Sequence, residues 1–294
     1  MTYPRSQLSS LGAPGVYHCV SRCVRRAFLC GEDRYSGQSF EHRRQWVEDR
    51  FHELAEIFAL SVWAYAVMSN HLHVVVQLQP EAAAGWTERD VAERWVRLFP
   101  KSDEAIEERI EGLLANPERL AVLHARLVDL TWFMRCLSEP IARRANQEDQ
   151  CRGRIWEGRF KCQALLDETA VLAAMAYVDL NPIRAGICER LADAVHSSAH
   201  QRLAQMEAAP EMPTKTLQPI AGLRGLSVLG IRPADYLQLL DWTGRQVRSN
   251  KRGAISEPPP KALMRLACDD GQGNGAAVAA GHRRGTHAGS RAMR

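Results

Sequence analysis

No stretch constrains the fold more than residues 61–78, SVWAYAVMSNHLHVVVQL. Two apolar runs, rich in valine and aromatic side chains, stand on either side of Ser69-Asn70. A break of two residues between two such runs is a tight reversal, so the pair reads as a β-hairpin. Along the second strand alternate residues share a face. Leu72, Val74, Val76 and Leu78 then form one apolar stripe, and His71, His73, Val75 and Gln77 form the other. Residues i and i+2 on a strand lie about 6–7 Å apart, so two imidazoles can reach one cation between them. A pair of polar residues at a strand end, hydrogen-bonded or solvated, would give the same pattern, and the hairpin alone leaves both readings open.

The flanking segments extend the plan. GVYHCVSRCV (15–24) follows Pro14, lacks helical spacing and reads as a strand. In 40–60, Val47, Phe51, Leu54 and Phe58 recur at three- and four-residue spacing, which predicts an amphipathic helix. Residues 87–99 and 103–145 are helical by period, with breaks or kinks expected at Pro100, Pro117 and Pro140. GRIWEGRFKCQALLD (153–167) has a broken apolar alternation and reads as a strand or hairpin. Asp167 then caps a helix over 168–180, which should end or bend at Asn181-Pro182. Strands joined through a hairpin, with helices between them, predict an α+β domain on an antiparallel sheet.

This domain is expected over residues 10–205, with an acidic helical insertion at about 101–126. A proline-containing linker (206–218), a small helical basic extension (219–266) and a disordered Gly/Ala-rich tail (267–294) should follow. The longest apolar stretches are far short of a membrane span, and the first ten residues lack a signal-peptide core, so a cytoplasmic location is expected. The eight cysteines are scattered without a CxxC pair, which argues against a zinc ribbon.

The net charge of +4 is modest, but the cations are clustered: Arg22, Arg25 and Arg26 early, Arg152, Arg154, Arg159 and Lys161 in the middle, and Arg245, Arg248, Lys251 and Arg252 late. Segregated basic clusters suit a polyanion, and a solvated charged surface would look similar. On the helix at 168–180, Val171, Ala174, Met175 and Val178 set the apolar stripe. Tyr177 falls off that stripe, with Asn181 one turn later on nearly the same side. It is placed either to present its hydroxyl away from the core or to pack as an ordinary flank tyrosine.

Four motifs in this order, YHCVSRCVRRAFLCGED (17–33), MSNHLHVVVQL (68–78), IWEGRFK (155–161) and AYVDLNPIRAGI (176–187), resemble the single-tyrosine HUH transposases, including the group associated with repetitive extragenic palindromes. The resemblance covers roughly residues 10–205. It departs from the family at Ser69, where proline is frequent, in the added acidic segment, and at Asn181, where some relatives carry the longer glutamine.

The resemblance implies a ferredoxin-like sheet and cleavage of single-stranded or hairpin DNA by Tyr177 through a covalent 5′-phosphotyrosine intermediate. It implies a divalent cation, Mg²⁺ or Mn²⁺, on His71, His73 and Asn181. Arg22, Arg25, Arg26, Arg159 and Lys161 become candidates for phosphate contacts. His18 on the first strand could add to the site but reads as structural, and Trp63, Trp132 and Trp156 read as core rather than as base-stacking platforms. A basic segment at 243–253 is either an accessory DNA-binding element or a solvated helix end. A homodimer is left open. The rival readings are a hairpin-DNA-binding protein that no longer cuts, a metal-dependent hydrolase in which water attacks, and a relaxase, which the absence of a P-loop disfavours.

Overall fold

A computed structural model describes residues 13–24, 29–33, 37–101, 105–208, 216–224, 229–247, 251–259 and 263. The tail at 267–294 and the arginines Arg25, Arg26 and Arg248 lie outside the described residues. The chain runs β1 (Gly15–Arg22), α1 (Arg43–Ile57), β2 (Leu60–Val67), β3 (His71–Leu78), α2 (Pro80–Ala83), α3 (Glu88–Leu98), α4 (Ile106–Leu114), α5 (Pro117–Leu127), α6 (Leu130–Glu148) and β4 (Lys161–Leu165). It continues through α7 (Glu168–Asp179), α8 (Asn181–Arg184), α9 (Ser198–Ala208), β5 (Ala221–Gly222) and α10 (Pro233–Arg245).

The sheet has the order β4-β1-β3-β2-β5, with every pair antiparallel. A β-α-β-β-helix-β path laid out as 4-1-3-2 is the ferredoxin-like α+β arrangement, here with one short strand added beside β2. Helices cover both faces. The stripe Leu72, Val74, Val76 and Leu78 packs with Tyr17 and Cys19 against α1, α6 and the inserted α3–α5. Val16 and Val75 on the opposite face pack with α7, α9 and α10. A bulge between Val62 and Ala64 turns both Trp63 and Ala64 toward the second face, after which β2 resumes its alternation. No described helix is long and apolar enough to cross a membrane.

Pro117 opens α5, where Asn116 caps the helix by accepting from the Arg119 N–H. Pro140 does not break its helix, because α6 runs through it from Leu130 to Glu148. A helical proline leaves the carbonyl four residues earlier without its N–H. That carbonyl is Cys136 O, and Arg50 Nε on α1 donates to it at 3.2 Å. A side chain from the neighbouring helix replaces the missing backbone donor.

Within 153–167 only Lys161–Leu165 forms a strand. The register that sets Val20 opposite Lys161 would place Gly158 opposite Cys23, yet Cys23 bridges to Trp156. The two extra residues make the 157–160 segment loop out of the sheet edge.

The C-terminal segment shares the second core. Leu217, Tyr236, Leu237 and Leu240 are buried there with residues of α7. Ile220 N donates to Val62 O and Leu223 N to Leu60 O, which seats β5 on β2. Gly222 has φ +85°, and a Cβ there would lie 2.3 Å from Leu60 O, so no larger residue fits at this close approach.

Between α1, β2 and the start of α9, the Glu48 carboxylate accepts from His196 Nδ1 and from the Tyr65 hydroxyl. Burial pushes its pKa up, but these hydrogen bonds and the nearby His196 and His52 outweigh burial and hold it below the ordinary 4.5. A depressed carboxyl contributes stability above its unfolded pKa and loses it as pH falls through the folded value. The stability gap between the native chain and Glu48→Gln should therefore be constant above about pH 5 and shrink at lower pH. Urea unfolding across that range checks this, and a gap independent of pH would refute it.

Candidate active site

The candidate side chains come from three places on the second face of the sheet. β3 supplies His71 and His73, β1 supplies His18, and the α7–α8 junction supplies Tyr177 and Asn181. Asp167 caps α7 by accepting from Ala170 N, and Val171, Met175 and Val178 bury its inner stripe. Tyr177 is 49% exposed and faces the histidines rather than the core. Its ring centroid lies 5.6 Å from that of His73 and 6.0 Å from that of His18, both edge-on. Pro182 has no N–H to extend the α7 ladder, and the chain turns once more as α8 with Asn181 at its start.

His73 is buried. Its Nδ1 lies 3.0 Å from His18 Nε2, with the two rings stacked, and its Nε2 lies 3.2 Å from Asn181 Nδ2. Asn181 also hydrogen-bonds His71. His71 Nδ1 lies 2.6 Å from Asn70 Oδ1. Burial lowers the His73 pKa to about 2, helped by His71 and His18, and burial takes His18 to about 4. Burial and then the charge of Arg22 lower His71, against the Asn181 hydrogen bond.

Neutral imidazoles carry one N–H and one lone pair each. In the tautomers in which His71 Nδ1–H donates to Asn70 and His73 Nδ1–H donates to His18, Nε2 is unprotonated on both rings. Asn181 Nδ2–H donates to His73 Nε2 as placed, and turning the amide over brings Oδ1 to the same position. This donor set fits a divalent cation: two neutral nitrogens with their opposite N–H groups tied back, and one amide oxygen. Among the described residues no group of three or more His, Cys, Asp or Glu side chains could hold a metal ion, so a site here rests on the two imidazoles and the amide.

Beside them opens a cleft of about 530 Å³, lined by Arg22, His71, His73, Arg159, Lys161 and Tyr177 among others. The looped-out 157–160 segment brings Arg159 to it, and the start of β4 brings Lys161. Arg22 lies 3.9 Å from Glu157, with both side chains exposed, a pairing too weak to fix either. Of the five cations expected at phosphates, these three share one cleft. Trp63 is fully buried, while Trp132 and Trp156 pack partly buried against the first core.

Two residues were not anticipated, Asp179 and Arg184. His18, read from the sequence as structural, lies against His73. Asp179, fully buried between Tyr177 and Asn181 in sequence, accepts from the Ser198 hydroxyl, from Ala199 N at 2.9 Å and from the Tyr236 hydroxyl at 2.6 Å. Arg184 donates to the carbonyls of Thr243 and Gln246 at 2.6 and 2.7 Å, closing the C-terminal end of α10.

No family model matches the chain, and no curated protein matches it. Among solved structures it is similar to a REP-associated tyrosine transposase bound to a REP hairpin, at 14% identity and a TM-score of 0.40, over 72% of this chain and 93% of that one. At that identity and score, fold and function rest on this chain's own geometry.

Proposed function

We propose that the chain cuts and rejoins single-stranded DNA, near hairpins, with Tyr177 as the nucleophile. The observation that carries this reading is the exposed Tyr177 standing beside the imidazoles of His71 and His73, at a cleft lined by Arg22, Arg159 and Lys161. The motif resemblance supports the same reaction.

Arg22, Arg159 and Lys161 hold backbone phosphates and set the strand across Tyr177. Tyr177 Oη attacks the phosphorus and loses its proton to solvent. The new O–P bond replaces the P–O3′ bond, and the departing 3′ oxygen takes up a proton. The 5′-phosphotyrosine keeps the phosphodiester's bond energy, so attack by another 3′-OH rejoins strands without ATP. His71, His73 and Asn181 would hold Mg²⁺ or Mn²⁺, which when bound supplies positive charge to the scissile phosphate as the transition state forms. His18 keeps the His73 ring turned with Nε2 toward Asn181.

Incubation with single-stranded DNA from the flanks of its own gene should yield a protein–DNA adduct that survives a denaturing gel. The adduct should form with Mn²⁺ or Mg²⁺ and vanish with a chelator. Cleavage without any adduct would favour attack by water, and hairpin binding with no cleavage under any cation would favour a binding protein.

A further inference from the structure

A second cleft, of about 710 Å³, meets the basic one at His71 and Tyr177, which line both. Its chemistry is different. One wall is the outer stripe of α7, with Thr169, Leu172, Ala173 and Ala176, and the other is Leu239 and Thr243 of α10. Its volume falls within the roughly 300–1,000 Å³ typical of small-ligand sites. Arg184 borders it, but that guanidinium is held by the carbonyls of Thr243 and Gln246. The exposed Lys251 stands at its lip. One residue before Thr243, Trp242 is 65% exposed, the most exposed aromatic ring among the described residues.

We infer that this groove takes an unstacked nucleobase of the DNA strand, next to the phosphate at Tyr177, with the exposed Trp242, one residue before Thr243, as a stacking surface. The inference rests on the single-stranded DNA reading above and extends it to base contacts. A strand whose phosphates occupy the basic cleft continues past Tyr177, and the groove between α7 and α10 opens at that point. Aliphatic walls are poor hosts for phosphate but suit the flat apolar face of a base. Ala173 and Ala176 leave room for a ring against α7, and Thr169 and Thr243 offer hydrogen bonds to its edge. Lys251 can meet the next phosphate. α10 thereby serves the site rather than only closing the second core.

The test compares the full chain on two fluorescent strands of equal length, an oligothymidylate of about 20 nucleotides and the same backbone made wholly abasic. Two variants accompany it: Trp242→Ala, an exposed position with no core role, and Ala173→Trp, which fills the groove from the α7 surface. Each variant should bind oligothymidylate about 10-fold more weakly while binding the abasic strand like the native chain. Equal loss on both strands would overturn the inference, because the effect would not concern bases. Unchanged oligothymidylate binding, with loss on Arg159→Ala and Lys161→Ala, would overturn it and leave the strand-binding reading standing. Binding of neither strand by the native chain would overturn both.

Discussion

Tyr177→Phe should abolish the covalent DNA adduct, lowering strand cleavage by at least about 10³-fold, while leaving strand binding within a few-fold of the native chain. The substitution removes one oxygen from a side chain whose ring is half exposed and whose contacts are edge-on to His73 and His18. Phenylalanine keeps those contacts, and the hydroxyl has no hydrogen-bond partner among the described residues, so the fold should be untouched. What disappears is the atom that would bond to phosphorus. Replacing His71 and His73 by alanine should also suppress the adduct, but through the loss of cation binding, so the two defects separate by titrating Mn²⁺. Cleavage that persists in Tyr177→Phe at near-native rates would end the tyrosine mechanism and leave water as the nucleophile.

The largest effect on stability is expected at Asp179. Burial raises this carboxyl's pKa, and Ser198, Tyr236, Arg202 and the Ala199 N–H all work in the opposite direction. Every donor around it points at a carboxylate oxygen, the arrangement an ionised group requires. The same pocket holds Arg202, also fully buried, which donates to Trp63 O and Gln218 O at 2.7 and 2.9 Å.

Asp179→Ala strands three donors and leaves the Arg202 charge without its negative neighbour. Breaking a buried charged network from one side costs about 3–5 kcal/mol, which for a chain of this size is a fall of roughly 10 °C in thermal midpoint. Asp179→Asn keeps the shape and one acceptor oxygen and should cost distinctly less. Because Tyr177 and Asn181 lie two residues to either side, adduct formation should fall with stability in the alanine variant. Calorimetry showing less than about 1 kcal/mol lost in Asp179→Ala would show that the network is dispensable.

These two residues also mark how far the sequence was legible. The hairpin, α1 and α7 are visible because periodicity is a local property, and Tyr177 stands out because it breaks the period of its own helix. Asp179 breaks the same period but is buried, since its partners Ser198 and Tyr236 lie 19 and 57 residues further on. Nothing within one helix can announce them. His18 required the register of β1 on β3, which pairs it with Val75 and so sets it diagonally beside His73. That α6 continues through Pro140 was not legible, because the compensating donor, Arg50, comes from a different helix. Residues 221–222 fall in a segment read as a small helical extension and instead form a strand against the edge of β2. Long-range pairing decided each of these, and none of it is written in spacing.

The added strand β5 has a consequence for assembly. A bare sheet edge is a template on which another chain can build, and the inner strand β2 would have been such an edge. Ala221–Gly222 covers Ser61 and Val62 of that edge, and the 196–198 segment bonds to Tyr65, Ala66 and Val67 along the rest. The opposite side ends in the five-residue β4, which starts at an exposed lysine. Among the described residues the uncovered edge is therefore β4, and a second copy adding strand to strand there would meet Lys161 and the start of the basic cleft.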